Sequence, residues 1–220
     1  MTTKYSIEER PIINQLREEY FDRLPEIRRV VGYLEAEVRY HIRHILQELK
    51  DYEQLVVKSR VKDCESAIQT LRRKKGEGGT FDPEKPEKYL LTELPDLAAV
   101  RVLVFPRIRL IEVDNALHAR FTDWVADPVP IAGGNMLAPK YYGKCHDVSH
   151  EIQAEYQIVP MLIGLYWQVE HTAIYKPPPL LKSKAGSAPI NDLSADVERA
   201  LLKFEAEFEN FVRDSTDPLS

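Results

Sequence analysis

LPDLAAVRVLVF, residues 94–105, decides the fold. From Ala98 to Phe105 the run is β-branched and almost entirely apolar, the composition of a central strand covered on both faces. Only Arg101 interrupts it. A charge inside such a strand is expensive unless paired, so Arg101 points toward a site or an ion-pair partner. Asp96 lies at the mouth of the same strand. A hard carboxylate oxygen there suits Mg²⁺ beside phosphates, although an isolated Asp before a strand is more often a turn residue or a helix cap.

Outward from this strand the pattern alternates between helix and sheet. Residues 6–51 read as helical with a break at Leu24-Pro25, after which Ile27, Val30, Val31, Leu34, Val38, Ile42, Ile45 and Leu46 recur at helical spacing. Leu55-Val56-Val57 is a short strand, followed by a helix from Asp63 to Lys75 that buries Ala67, Ile68 and Leu71. GEGGTFDPEKPEK, 76–88, breaks all periodicity and reads as a mobile loop. Downstream, 110–125 form an amphipathic helix and 127–139 an irregular, Pro- and Gly-rich connection. Short strands fit Lys144–Val148 and Ile152–Ile158, and Pro160 suits the first turn of the next helix. PPPLLKSKAGSAP, 177–189, is a linker, and 192–213 a last acidic helix. Its Leu201, Leu202, Phe204, Phe208 and Phe211 read as core packing, with a homo-oligomer or partner-protein contact as the second reading.

Helices packed on a small mixed sheet make an α+β fold. The expected segments are 1–52 (N-terminal helical), 53–178 (core) and 179–220 (linker and last helix). The 220 residues, 44% apolar and 30% charged, suit one compact domain with helical additions. No stretch approaches the roughly 20 apolar residues of a membrane-spanning helix, so no membrane partner is expected. MTTKYSIEERP lacks the apolar core of a secretory signal. Two distant cysteines, Cys64 and Cys145, argue against a disulfide framework and for a reducing, cytoplasmic setting. A net charge of −5 excludes a generic nucleic-acid coat protein. Even so, Lys58, Arg60, Lys62, Arg72, Arg73, Lys74 and Lys75 cluster along 58–75. Such a cluster suits a small polyanion, or is simply a solvated helix face.

Two further stretches carry candidate chemistry. In KSRVKDCESAIQTLRR, 58–73, a strand hands Arg60, Lys62, Ser66 and Arg73 to a helix, Ser66 and Arg73 sharing one face. Fixed cations, a hydroxyl and first-turn N–H groups are what phosphate oxygens need. The glycines and Gly-Lys-Ser/Thr end of a Walker loop are missing. In EYQIVPMLIGLYWQVEHTAIYK, 155–176, Glu155 and Gln157 alternate and so share a sheet face. With 161–175 helical, Leu162, Tyr166, Val169 and Ala173 form a core stripe. Gly164, Gln168, His171 and Tyr175 form the opposite, ligand-facing stripe, where the glycine leaves room. Cys145, His146 and His150 match no common zinc spacing.

These motifs resemble, in order and over Leu55–Lys176, the synthetase domain of the RelA/SpoT-like alarmone synthetases, particularly the single-domain small ones. Arg60, Lys62 and Ser66 look like the family's Arg-x-Lys-x-x-x-Ser element, with Arg73 at the next basic position. DLAAVR looks like its Asp-x-x-(Gly/Ala)-(Val/Ile)-Arg element, and EYQ with EHTAIYK its Glu-x-Gln and Glu-His-x-x-x-Tyr-Lys elements. The Gly-Tyr-Arg-Ser-x-His motif survives as YGKCH, aligning Tyr142 and His146. The resemblance implies a nucleotidyltransferase-like mixed sheet and transfer of the β,γ-pyrophosphate of ATP to the 3′-hydroxyl of GDP or GTP. It implies that Arg60, Lys62, Ser66, Arg73 and Arg101 hold ATP phosphates and that Asp96 and Glu155 bind Mg²⁺, Glu155 also serving as base. Tyr142 would stack on the acceptor base, with His146, Lys140 and Gln157 nearby and His171 in the closing wall.

The sequence departs from that pattern mainly on the acceptor side. Val159, Pro160, Gly164, Gly143 and Lys144 replace the family's Arg, Thr, Asn, Arg and Ser, and on the donor side Thr70 replaces a lysine that neighbouring Arg72 would make good. The changes are compatible with altered GDP or GTP contacts, or with a different acceptor. A bulkier one would be admitted by Gly164, such as the CCA end of tRNA modified by toxic small synthetases; others make adenosine alarmones. A non-catalytic binding module is the third reading.

Overall fold

Apolar residues at helical spacing build the longest element, helix α1 (Arg10–His41). Ile12, Ile13, Leu16 and Tyr20 before Pro25, and Ile27, Val30, Val31, Leu34 and Val38 after it, are all buried. The helix does not break at Pro25, as the sequence suggests, but runs through it. A mid-helix proline costs about 3 kcal/mol. Each fully buried large apolar side chain returns about 1.5–3 kcal/mol, and both halves of α1 carry several. The helix pauses instead at Ile42, before the short α2 (Arg43–Gln47). The computed structural model describes residues 6–76, 78–131, 136–171 and 188–216.

The α+β plan holds. After α2 come β1 (Gln54–Val61), α3 (Cys64–Lys75), β2 (Ala98–Phe105), α4 (Leu110–His118), β3 (Val125–Ala126), β4 (Val129–Ile131), β5 (Met136–Ala138), β6 (Lys140–Lys144), β7 (Gln153–Pro160), α5 (Met161–Glu170) and α6 (Ala188–Thr216). Five strands form a mixed sheet in the order β1-β2-β7-β6-β3. β2 and β7 are parallel and the other pairs antiparallel. The AAVRVLVF strand is central, and on one face its Ala98, Val100, Val102 and Val104 join Ala154, Tyr156 and Ile158 of β7 in the main core. α1 packs across β1 and β2 on this side, and α4 against β7. α5 covers the other face, and α6 packs on α5.

Several elements differ from the sequence reading. β1 extends to Val61, because its second half pairs with Ala98–Arg101 of β2 although it is polar. The 127–139 connection contains a hairpin, β4 with β5, and Pro130 is tolerated because this is a two-stranded sheet with no inner strand. β6 lies at 140–144 rather than 144–148, with a turn following. α4 is shorter than expected, and Phe121 and Trp124 beyond its end are buried outside any helix. Residues 78–88 of the expected loop are anchored rather than loose: Phe81 is buried and meets Tyr89 edge-on, ring centres 4.7 Å apart.

One buried carboxylate ties three segments together. Glu9, just before α1, accepts from the Ser6 amide at 3.0 Å, from Arg72 of α3 at 2.7 and 3.0 Å, and from the Phe81 amide at 3.0 Å. Burial works against its charge, but the Phe81 and Ser6 amides and the Arg72 guanidinium outweigh it and hold the carboxyl below its usual range.

A second carboxylate lacks such support. Glu205 of α6 is fully buried, and neither oxygen has a hydrogen-bond partner of good geometry. Burial pushes its pKa up to about 7, against smaller pulls from the Leu162 amide and Arg107, with Glu209 adding repulsion. Folding therefore takes up a proton here, and stability falls as pH rises from about 4.5 to about 7. Glu205→Leu is expected to raise the melting temperature near pH 8 and hardly at all near pH 4, a difference of roughly 3 kcal/mol. Equal gains at both pH values would contradict this account.

Candidate active site

Strand register assembles the site. Lys58, Arg101, Gln157 and Lys140 align in one row across β1, β2, β7 and β6, and Arg60, Ala99, Glu155 and Tyr142 in the next. Aligned residues share a sheet face, so both rows look to the same side. The adjoining row, Val56, Leu103 and Val159, is apolar, and Met161 and Ile163 of α5 pack with Leu103 and Val159 in a second core. One sheet face is therefore core at one end and charged at the other. A cavity of about 910 Å³ opens over the charged end. Its floor is Lys58, Arg60, Arg101, Glu155 and Gln157; its walls are Trp167, Gln168 and His171, the hairpin residues Val129 and Pro130, and Ser194 and Glu198 of α6.

Of the two expected carboxylates only Glu155 lines this floor; Asp96 lies outside the lining but near enough for its charge to act on Glu155. Glu155 is buried, which raises its pKa; the nearby Asp96 charge adds to the rise, while Arg60, Lys140 and Arg101 oppose it. Asp96 sits in the turn before β2. Its Oδ2 accepts from Lys62 Nζ at 2.5 Å and lies 3.8 Å from Arg60 Nη2. Its Oδ1 is buried without a hydrogen-bond partner. A buried orphan oxygen is costly unless something positive meets it. Among the described residues no group of three His, Cys, Asp or Glu side chains forms a metal site. Two carboxylates with remaining positions left to phosphate oxygens and water suit Mg²⁺, so the residues present fit that ion. Arg101 is half-buried, its Nε donating to Gln157 Oε1 at 3.1 Å, and burial followed by the like charge of Arg60 lowers its pKa.

Lys62, Lys140 and Tyr142 lie around this centre but outside the cavity lining. Lys140 Nζ reaches Asp127 Oδ2 at 2.7 Å and sits 5.0 Å from the centre of the Tyr142 ring. Ser66 and Arg73 lie on α3 outside the cavity lining, with Arg73 exposed. The Ser66 amide is already capped by Asp63 Oδ1 at 2.9 Å, so this first-turn N–H is engaged. Arg72 does not make good the lysine missing at Thr70, because it is committed to Glu9; Thr70 itself donates to the Ser66 carbonyl at 2.8 Å. His171 lines the cavity. His146 is exposed and outside the lining, its Nδ1 3.3 Å from that of His150 and its Nε2 3.9 Å from Asp123. Cys145 is a buried free thiol that burial pushes up to about 12.

Of the expected α5 stripes, the ligand-facing residues Gly164, Gln168 and His171 all line the cavity, whereas the core stripe needs correction, its Ala173 lying outside the described residues. Val169 is 65% exposed, and Leu162 and Tyr166 are only partly buried; the buried residues are Met161, Ile163 and Gly164. The helix rests its first turn on Leu103 and Val159 and offers Tyr166 and Trp167 to α6, which the sequence pattern could not foresee. Gly164 is not open space: a Cβ there would meet Leu103 Cδ2 at 2.4 Å, so the glycine permits close approach of α5 to β2. Tyr175 and Lys176 lie outside the described residues. Gly143, beside Tyr142, is tighter still, with a Cβ meeting the Trp124 indole at 2.3 Å. That indole is buried against Phe121 and Tyr156, at 4.8 and 5.4 Å between ring centres. Gly143→Ala is expected to cost about 1–3 kcal/mol in thermal melts, because a packed ring must move; a neutral result would show that the ring yields freely.

The residues missed in the sequence are Trp167, Ser194 and Glu198, while Lys58 was read only as part of the basic cluster along 58–75. Lys58 was readable by alternation with Arg60 once β1 extended to Val61. Ser194 and Glu198 carry no local signal, since they reach the site only through packing of α6 on α5.

A five-stranded mixed sheet flanked by helices, with Glu155 and flanking cations beneath a cavity on one face, gives this chain the fold of the small alarmone synthetases. Bacillus subtilis small alarmone synthetase 2 matches with a TM-score of 0.65 at 14% identity, covering 89% of this chain and 99% of that one. Small alarmone synthetase 1 from the same organism matches at 0.63 and 17%, covering 90% and 99%. A GTP pyrophosphokinase family protein from Streptococcus pneumoniae matches at 0.59 and 20%, covering 92% and 98%. At these identities the likeness is one of fold. No protein-family model matches the sequence, and no curated protein does. No helix among the described residues is long and apolar enough to cross a membrane.

Proposed function

We propose that this chain is a Mg²⁺-dependent pyrophosphokinase that transfers the β,γ-pyrophosphate of ATP to the 3′-hydroxyl of a guanosine nucleotide, GDP or GTP. One observation carries the reading: the orphaned Asp96 Oδ1 beside buried Glu155, with Lys62, Arg60 and Arg101 around them. The fold supports it, since small alarmone synthetase 1 from Bacillus subtilis has been solved with AMPCPP and with its product pppGpp.

In this reading Arg60, Lys62 and Arg101 draw in and orient the polyphosphate, and Ser66 and Arg73 extend the polar track along α3. Asp96 and Glu155 would hold the cation, which when bound would neutralise charge on the transferring phosphates. Glu155 takes the proton of the acceptor 3′-hydroxyl as that oxygen attacks the β-phosphorus, and the bond to the α-phosphate breaks to release AMP. Burial already raises the proton affinity of Glu155 in the direction a general base near neutral pH requires. Gln157 steadies Arg101, and Tyr142, with Lys140 beside it, offers a ring on which a base gains about 1–3 kcal/mol. His171 completes the wall, and His146 contributes only through a ligand long enough to leave the cavity.

A second reading has its own support. Gly143 lies against Trp124, and Val159 and Pro160 are buried, so the acceptor side has no cations at these positions. That favours an acceptor other than a free guanosine nucleotide, namely the 3′ end of tRNA or an adenine nucleotide. ATP labelled on the γ-phosphate, offered with GDP, GTP, ADP or deacylated tRNA, tests both. Label on GDP or GTP with stoichiometric AMP is expected. Label on tRNA or ADP alone would replace the acceptor, and no transfer despite bound ATP would leave a nucleotide-binding module. Growth arrest on expression, relieved by Asp96→Ala, would mark a toxic synthetase and justify a search for a protein antitoxin.

A further inference from the structure

The cavity is electrically lopsided. Its floor carries three cations, Lys58, Arg60 and Arg101, against the single carboxylate Glu155, whereas its α5–α6 wall carries Glu170 and Glu198 beside Trp167 and His171. The wall is cross-linked by hydrogen bonds. Trp167 Nε1 donates to Glu198 Oε1 at 2.5 Å, the Tyr166 hydroxyl to Ser194 Oγ at 3.0 Å, and the Ser194 hydroxyl to Glu170. A glutamate side chain normally samples many rotamers, and the indole N–H holds this one in a fixed pose at the cavity wall. α6 lies outside every motif that carries the family resemblance.

We propose that Glu198, oriented by Trp167, selects the acceptor base, choosing a purine whose edge presents two adjacent N–H donors. The inference rests on the pyrophosphokinase reading. Two carboxylates repel a polyphosphate, so the base end of the acceptor faces this wall. An ionised carboxylate accepts hydrogen bonds and donates none. Guanine places N1–H beside its exocyclic amine, and both can point at carboxylate oxygens. Adenine places one amine beside a ring nitrogen whose lone pair opposes a carboxylate. Hypoxanthine, the base of inosine, keeps the N1–H but lacks the amine. Sites that hydrogen-bond a substrate group reject analogues lacking it strongly, because buried polar atoms are left unpaired.

The test compares kcat/KM for pyrophosphate transfer from ATP to GDP, inosine diphosphate and ADP. Glu198→Gln keeps an acceptor for the indole N–H but exchanges one oxygen for an amine. Trp167→Phe removes the anchor and keeps an apolar ring. The wild type is expected to favour GDP over inosine diphosphate by about 10-fold or more, and over ADP by a larger factor. Both variants are expected to shrink the GDP preference at least about fivefold, with melting temperature and ATP binding retained. Unchanged ratios in Glu198→Gln, or no preference in the wild type, would overturn the inference and leave the pyrophosphokinase reading standing. Loss of all transfer in both variants, with ATP still bound, would also overturn it by making the pair a structural wall. No transfer by the wild type to any acceptor would overturn both.

Discussion

Glu155→Gln is expected to slow pyrophosphate transfer roughly 10³-fold while ATP still binds. The substitution keeps the shape of the side chain and removes both its charge and its ability to take a proton. Glu155 is buried at the centre of a row that runs from Arg60 through Ala99 to Tyr142. The amide would therefore stay where the carboxylate was, and the loss would report chemistry rather than misfolding. Labelled ATP turnover set against equilibrium binding of a non-hydrolysable ATP analogue separates the two. Retained transfer within about tenfold would remove Glu155 from the mechanism, because loss of a positioned base ordinarily costs at least about 10².

Glu9→Ala is expected to destabilise the fold by about 3–5 kcal/mol, the usual cost of stranding one partner of a buried ion pair. That corresponds to a drop of roughly 10 °C or more in melting temperature. The alanine leaves the Arg72 guanidinium without its bidentate acceptor and the Phe81 amide unpaired in the interior. Adding Arg72→Ala to Glu9→Ala should cost less than Arg72→Ala alone, since the contact between the two side chains is already lost. Fully additive losses in this cycle would show that the two side chains act separately.

Most of the frame was legible in the sequence because it follows local rules. The apolar run of β2, the α3 stripe of Ala67, Ile68 and Leu71, and the alternation of Glu155 with Gln157 express periodicities of two and about 3.6 residues. The same rules failed where long-range packing decides. Pro25 looked like a stop and is overruled by burial on both sides, and Val169 looked like core on a helix whose partner lies elsewhere. In the site, Asp96, Arg101, Glu155 and Gln157 were readable as residues with no reason to be apolar-strand neighbours unless they share a task. Arg72 was misread because its partner, Glu9, lies 63 positions away. Glu198 was invisible because a carboxylate on an acidic helix looks like every other solvated one until a neighbouring indole fixes it.

The alternation along β2 and β7 has a consequence for how such a protein can diversify. On these strands neighbouring residues belong to different economies: Val100, Tyr156 and Ile158 are interior, while Arg101, Glu155 and Gln157 face the cavity. A single inserted residue in β7 would send the cavity-facing side chains into the interior and the apolar ones into the cavity, ruining both at once. The floor is therefore locked against insertions and deletions by the same code that folds it. Drift toward new acceptors has to run through the walls, the hairpin and helices α5 and α6, where length and side chain can change without shifting the register of the sheet.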